Sequence, residues 1–361
     1  MSSEVGKNIK LTIFGESHGP AIGMSLCGLP AGLPVDMDYI MAQMSRRAPG
    51  RDSVSTERKE ADVPEFLSGV HGGVTTGAPL VAIIRNNDTR SGDYNGYKIT
   101  PRPSHADYPA VAAFGNDLDL RGSGHFSGRL TAPMVLAGAI CRRALVDRGI
   151  TVGAHIYNVA DVFDTPFDKT NITEELLKKL SLASHSVISP DAWNKIEQVI
   201  MNAGQQGDSV GGSVEVAAVG LPAGLGSPMF GGIENVLSRL LFGIPAVKAV
   251  EFGEGTGFAA MCGSKANDCY TIKNGEVKTS TNHNGGILGG LTTGMPLVAK
   301  VTFKPTPSIA LPQSTVNLET MSDTTISIKG RHDPCIVPRA VPVVDAAVAI
   351  GLLDIMLEGR F

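Results

Sequence analysis

The chain has 361 residues with a formal net charge of -4, 42% of them hydrophobic and 18% charged. That balance gives a compact protein with an apolar core, excludes a disordered chain, and argues against nucleic acid as the main partner. The N-terminus lacks a basic-then-apolar signal region, no uncharged apolar run approaches the roughly 20 residues of a membrane span, and five scattered cysteines form no C-x-x-C pair, so a reduced cytoplasmic protein without membrane partner is expected.

Residues 9–14 and 21–29 alternate or run apolar between glycine and proline and read as strands. Asp36 is the expected N-cap of a helix in which Met37, Ile40, Met41 and Met44 fall at helical spacing until Pro49-Gly50 stops it, delivering Arg46 and Arg47 at its end. A strand is expected over 79–85, then a long core helix over 127–147 capped by Ser127 and closed by Arg142, Arg143 and Gly149. Strands follow at 151–159, 213–219, 246–252 and 296–303, and Ser189-Pro190 opens a helix over 191–203. A helix over 342–358 reads as the partner of the one at 127–147.

The chain also matches itself. Gly15-Glu16-Ser17-His18-Gly19 and Gly28-Leu29-Pro30-Ala31-Gly32 recur 192 positions later as Gly207-Asp208-Ser209-Val210-Gly211 and Gly220-Leu221-Pro222-Ala223-Gly224. Gly72-Gly73-Val74-Thr75-Thr76-Gly77 returns as Gly289-Gly290-Leu291-Thr292-Thr293-Gly294, and Arg121 with Arg129 returns as Arg331 with Arg339. Offsets near 200 point to one duplicated unit about half the chain long, so the expected architecture is a single domain over 1–361 built of two similar halves, about 8–150 and 200–358, around a pseudo-twofold axis. Val210 replaces His18 in the second copy, which frees the imidazole of His18 for chemistry while glycines, acid and serine serve the fold in both halves.

Arg46, Arg47, Arg51 and Arg58 lie close together around a turn, with Arg121 and Arg129 later; they suit either a polyanionic small ligand or a solvated helix end. Gly122-Ser123-Gly124-His125-Phe126-Ser127 is either an anion-binding turn or a tight strand-to-helix connection. It does not complete G-x-G-x-x-G, and no phosphate-binding loop of the G-x-x-x-x-G-K-[ST] type occurs, so nicotinamide and nucleoside-triphosphate sites have no support. His18 and His105 sit among small polar residues and suit acid-base work near neutral pH, whereas His71, His155 and His185 read as structural. No histidine pair has metal-ligand spacing, so no metal is expected.

Gly15-Glu16-Ser17-His18-Gly19, Arg46-Arg47-Ala48-Pro49-Gly50, His105-Ala106-Asp107-Tyr108, Ser127-Gly128-Arg129, Asn282-His283-Asn284-Gly285-Gly286 and Gly330-Arg331-His332-Asp333-Pro334-Cys335 follow one another in this order. In this the sequence resembles the chorismate synthase family over about residues 8–357. The resemblance implies an α+β fold, a β-α-β sandwich with internal pseudo-symmetry, assembled as a homotetramer. It implies reduced FMN as cofactor and 5-enolpyruvylshikimate 3-phosphate as substrate, with a 1,4-elimination of phosphate that yields chorismate without net redox change. Whether NADPH reduces the flavin on the protein or an external flavin reductase supplies it stays open.

By the same resemblance, His18 serves the leaving phosphate, His105 the flavin, and Asp333 removes the substrate C6 proton together with the flavin, while Ser17 and Ser127 relay protons. Arg46, Arg47, Arg129, Arg331 and Arg339 are the expected substrate-binding cations. FMN is expected to touch His125, Phe126, Ser127, Ala246, Gly289, Lys304, Pro305, Thr306, Pro307, Ser308 and Arg331. Ala48, Ser53, Ser104 and the pair His125-Phe126 depart from the family's commoner residues, and Arg51 is a candidate replacement for the charge missing at Ser53. A second reading is a catalytically inactive FMN-binding sensor of an anionic metabolite; intact His18, His105 and Asp333 argue against it. Glycine-rich arms at 45–55 and 92–103 are expected lids.

Overall fold

The computed structural model describes residues 3–50, 61–87, 96–328 and 333–358. Its elements form two antiparallel five-stranded sheets. The first has the order Glu4–Val5, Lys10–Gly15, Ala21–Cys27, Leu80–Arg85, Pro64–Ser68, and the second the order Val247–Phe252, Leu297–Phe303, Gly212–Val219, Thr151–Val159, Val162–Phe163. Each strand expected from alternation is present within a residue or two of its expected ends.

The sequence repeat maps onto the pairing. In the first sheet Ile22 lies opposite Ile84 and Met24 opposite Ala82; in the second, Val214 lies opposite Val301 and Val216 opposite Ala299. These are equivalent positions under the repeat offsets, so the central strand pairs of the two sheets share one register, while the edge strand Glu4–Val5 precedes its neighbour in the chain and Val162–Phe163 follows its own. A one-residue slip would turn every inward side chain outward, and the matched apolar faces forbid it.

One hydrophobic core runs from the inner face of the first sheet (Leu11, Ile22, Met24, Ile84) through the helices to the inner face of the second (Ile156, Val214, Val216, Val301). Between the sheets lie the helices Met37–Arg47, Thr131–Val146, Ile233–Phe242 and Val337–Met356. The second and fourth of these are apolar on nearly every face and pack on each other; a Cβ on Gly138 would stand 2.2 Å from that of Ala346, so glycine permits this approach. Burial on all sides is what such a helix requires.

Two helix starts differ from expectation. Ser127 caps a short 3-10 turn, Gly128–Leu130, by accepting the Arg129 N–H, and the long helix begins only at Thr131. The last helix starts at Val337, five residues early, because Pro338 falls in its first turn, where the missing N–H costs nothing. The helices Asp107–Phe114, Glu174–Leu182 and Ile233–Phe242 were not expected; the last was legible in the spacing of Ile233, Leu237, Leu240 and Leu241.

Candidate active site

A cavity of about 630 Å³ opens where the segments 102–106, 122–131, 242–248, 303–308 and 333–343 meet. Six cationic side chains line it, Arg47, Arg102, Arg129, Lys248, Lys304 and Arg339, against one carboxylate among the described residues, Asp333. A concave wall with that excess of positive charge suits a small polyanion.

The arginines are held rather than loose. Asp62, buried and at φ +49°, accepts from Arg47 Nη1 at 2.7 Å through one oxygen and from Arg129 Nη1 through the other. One carboxylate therefore orders two guanidinium groups and leaves a net positive charge between them. Arg129 Nε donates to Asn86 Oδ1 at 3.1 Å, and Arg339 Nε to the Arg47 carbonyl at 2.9 Å. Arg339 Nη1 also pairs with Asp333 Oδ2, so the carboxylate of the cavity sits beside one of its cations.

Arg102 is the centre of a second cluster. Its Nη2 and Nε donate to Asp107 at 2.7 Å each, and Nη2 also donates to Ser123 Oγ at 3.2 Å. Burial opposes the charge of Asp107, but the hydrogen bonds from Arg102 outweigh it and hold this carboxyl far below the usual carboxylate range. The imidazole of His105 is gripped at both nitrogens, with Nε2 3.2 Å from Ser123 Oγ and Nδ1 accepting from the Ala106 N–H at 2.9 Å. Such anchoring fixes the ring plane against the cavity. Ser104 adopts φ +57°, a region that favours glycine.

His18 lies directly behind this wall. It is buried, and a Cβ added to Gly122 would come within 2.3 Å of its Cδ2 and 2.8 Å of Ser17 Oγ, so only glycine lets the 122–124 loop close over the ring. The Ser17 N–H donates to the Gly124 carbonyl at 3.1 Å and ties the first copy of the repeated motif to that loop. The Lys304 ammonium is held by its bond to the Ser104 carbonyl, and burial, followed by the charge of Lys248, depresses its pKa.

Of the expected residues, Arg47, His105, Arg129, Asp333 and Arg339 line one cavity, as do His125, Phe126, Ser127, Ala246, Lys304, Thr306, Pro307 and Ser308. His125 Nδ1 is bound to the Gly15 carbonyl at 2.9 Å and Nε2 to Ser3 Oγ at 2.7 Å, which docks the loop onto the first sheet. Five expected residues among the described ones, His18 included, are not brought to the wall. Arg46 turns into the helix layer, where Asp345 Oδ2 at 3.1 Å, Gln43 and Ser186 take its donors, because its helix points successive side chains in different directions. Gly289 turns the hairpin between Ile287–Leu288 and Leu291–Thr292, and Pro305 packs near Gly211. Ser17 stays behind Gly122 with His18. Arg331, Arg51, Ser53, Arg58 and parts of both expected lids lie outside the described residues. Sequence reasoning missed Arg102, Asp62 and Ser123; Arg102 was detectable as a cation between Pro101 and Pro103, whereas nothing local marks Asp62.

Known proteins are similar to this chain over nearly its whole length. The family model described as chorismate synthase matches residues 9–357. The chorismate synthase of Thermococcus gammatolerans is 48% identical over 357 residues, covering 98% of both chains. That of Methanothermobacter thermautotrophicus is 44% identical over 364 residues, covering 99% of this chain and 95% of its own. A crystal structure of chorismate synthase superposes with a TM-score of 0.77 at 27% identity, covering 98% of this chain and 93% of the other. Matches of this extent, with the cation-lined cavity in place, show that the chain belongs to the chorismate synthase family.

Proposed function

We propose that the chain is a lyase that removes phosphate from 5-enolpyruvylshikimate 3-phosphate by 1,4-elimination to give chorismate, with reduced FMN bound and no net redox change. The observation that carries this reading is the convergence of Arg47, Arg129 and Arg339 with Asp333 and His105 around one cavity. A substrate with one phosphate and two carboxylates needs several fixed cations, and arginine grips such groups through paired donors. A non-catalytic sensor finds no support in the comparisons.

The cavity suits FMN on its own chemistry. Phe126, Ile244, Pro245 and Ala246 offer an apolar face to a flat ring, and Lys304 and Lys248 offer charge to a phosphate. Thr306 lines the same wall with its Oγ1 buried and without a hydrogen-bond partner among the described residues, as expected of a group reserved for a ligand. Bound reduced flavin supplies transient electron density as the phosphate leaves.

The chain's own residues do the rest. Arg47, Arg129 and Arg339 orient the substrate and Asp333 takes up the C6 proton on a carboxylate oxygen. His18, packed against the Gly122 loop, donates a proton or hydrogen bond to the departing phosphate as negative charge develops on it. His105, fixed by Ser123, faces the flavin, and Ser17 and Ser127 relay protons. We assign Arg331 to the substrate by resemblance alone. A cytoplasmic homotetramer is part of the same reading, and light scattering tests the assembly.

Anaerobic incubation of 5-enolpyruvylshikimate 3-phosphate with the protein and dithionite-reduced FMN, beside an oxidised-FMN control, tests the activity. Phosphate and chorismate in equal amounts, with reduced flavin only, are expected; FMN binding without either product overturns the reading. Bleaching of bound FMN by NADPH alone decides between a self-reducing enzyme and one served by an external reductase.

A further inference from the structure

The second copy of the repeated motif has lost its histidine and lines no part of the cavity, yet it grips both segments that form the far wall. Ser209 Oγ donates to the Thr306 carbonyl at 2.7 Å, and the Val210 N–H donates to the Pro334 carbonyl, next to Asp333, at 2.8 Å. The Gly207 carbonyl accepts the Ala310 N–H at 2.9 Å, beyond the other end of the Lys304–Ser308 stretch. A Cβ on Gly211 would stand 3.0 Å from Pro305 Cδ, so the motif also packs flush against the segment it binds. The first copy does the corresponding thing on the near wall, where Ser17 N–H holds Gly124.

We propose that Ser209 is a positioning residue: by fixing the Thr306 carbonyl it sets the Lys304–Ser308 wall, and with it Thr306 Oγ1 and the Lys304 ammonium, in the arrangement an anionic cofactor requires. Pro305 and Pro307 stiffen this stretch but remove two N–H groups, so it has few backbone bonds of its own. Lys304 N–H to the Ala246 carbonyl anchors one end, and Ser209 supplies a side-chain anchor at the middle. The serine retained in both copies thus has two different duties, one behind His18 and one behind Thr306. The claim about the cofactor rests on the FMN reading above; the claim about the wall does not.

The test compares wild type with Ser209→Ala and Ser209→Thr. Hydrogen exchange over residues 304–311 in the ligand-free protein is expected to quicken in the alanine variant and return to the wild-type rate with threonine, which keeps the hydroxyl. FMN affinity, titrated by flavin fluorescence, is expected to fall about five- to tenfold with alanine and recover with threonine, the scale of one hydrogen bond, while turnover at saturating FMN changes much less. Unchanged exchange over 304–311, or a lowered unfolding midpoint with unchanged FMN affinity, overturns the proposal. If wild type binds no FMN, the cofactor reading falls, and the exchange arm still decides the role of Ser209.

Discussion

The two sheets are built to one plan and put to different uses. Thr75 Oγ1 accepts the Leu33 N–H at 3.0 Å and donates to the Pro30 carbonyl at 2.6 Å; Thr292 Oγ1 accepts the Leu225 N–H at 2.9 Å and donates to the Pro222 carbonyl at 2.6 Å. The same tie therefore closes the Gly-Leu-Pro-Ala-Gly turn in both halves. Divergence begins at the motif before it, where His18 faces Gly122 and Val210 fills the matching position. It continues on the outer faces. Phe14 covers Gly23 in the first sheet and is 38% exposed; the equivalent pair in the second is His155 and Glu215, both buried. His155 Nδ1 bonds Asp164 at 2.9 Å and Nε2 bonds Glu215 at 3.0 Å, which staples the segment that follows the strand over this face. The two halves share the tie at the turn and differ at the equivalent positions: the first places a buried histidine behind the Gly122 loop, and the second a buried ionic staple and the Ser209 bond to Thr306.

The largest test of this comparison is His18→Ala. Turnover should fall by about two to four orders of magnitude, the usual contribution of a positioned acid, while FMN binding persists, because Val210 shows that the scaffold accepts an apolar side chain there. Normal phosphate release in that variant would remove His18 from the reaction. Next comes His155→Leu, which leaves Asp164 and Glu215 buried without their cation and should cost about 3–5 kcal/mol in denaturant unfolding. Phe14→Ala at the equivalent site should cost only about 1 kcal/mol.

The staple also carries a pH signature. Burial disfavours the His155 imidazolium, but its hydrogen bonds to Asp164 and then Glu215 outweigh this and raise its pKa. A pKa higher in the folded than the unfolded state stabilises fully below the unfolded value, about 6.5, and the gain is lost as pH rises through the folded value. Unfolding free energy should therefore decline on the alkaline side in wild type, and this part of the decline should vanish in His155→Leu. Below the cost of His155→Leu, Thr75→Val and Thr292→Val should each cost about 1–3 kcal/mol and match each other within about 0.5 kcal/mol. A large inequality between them would break the equivalence of the halves.

Much of the fold was legible locally. Alternation marked the sheet strands, Asp36 marked a helix start by accepting the Tyr39 N–H at 3.0 Å, and the repeats anticipated which strands share a register. His18 and Arg47 were legible in their motifs, whereas Asp62 was not: it stands 15 residues from one arginine it orders and 67 from the other, and only the folded chain brings all three together. Arg46 illustrates the opposite error, since adjacency to Arg47 suggested a shared ligand and helical rotation sent it to Asp345.

The sequence by itself determined the duplication, the strand and helix periods and the family, because these depend on residue type and spacing along the chain. Tertiary structure alone decided which cations share the cavity, which glycine admits His18, and what Ser209 holds. Those outcomes depend on distances between segments far apart in the chain, and no local preference encodes such distances.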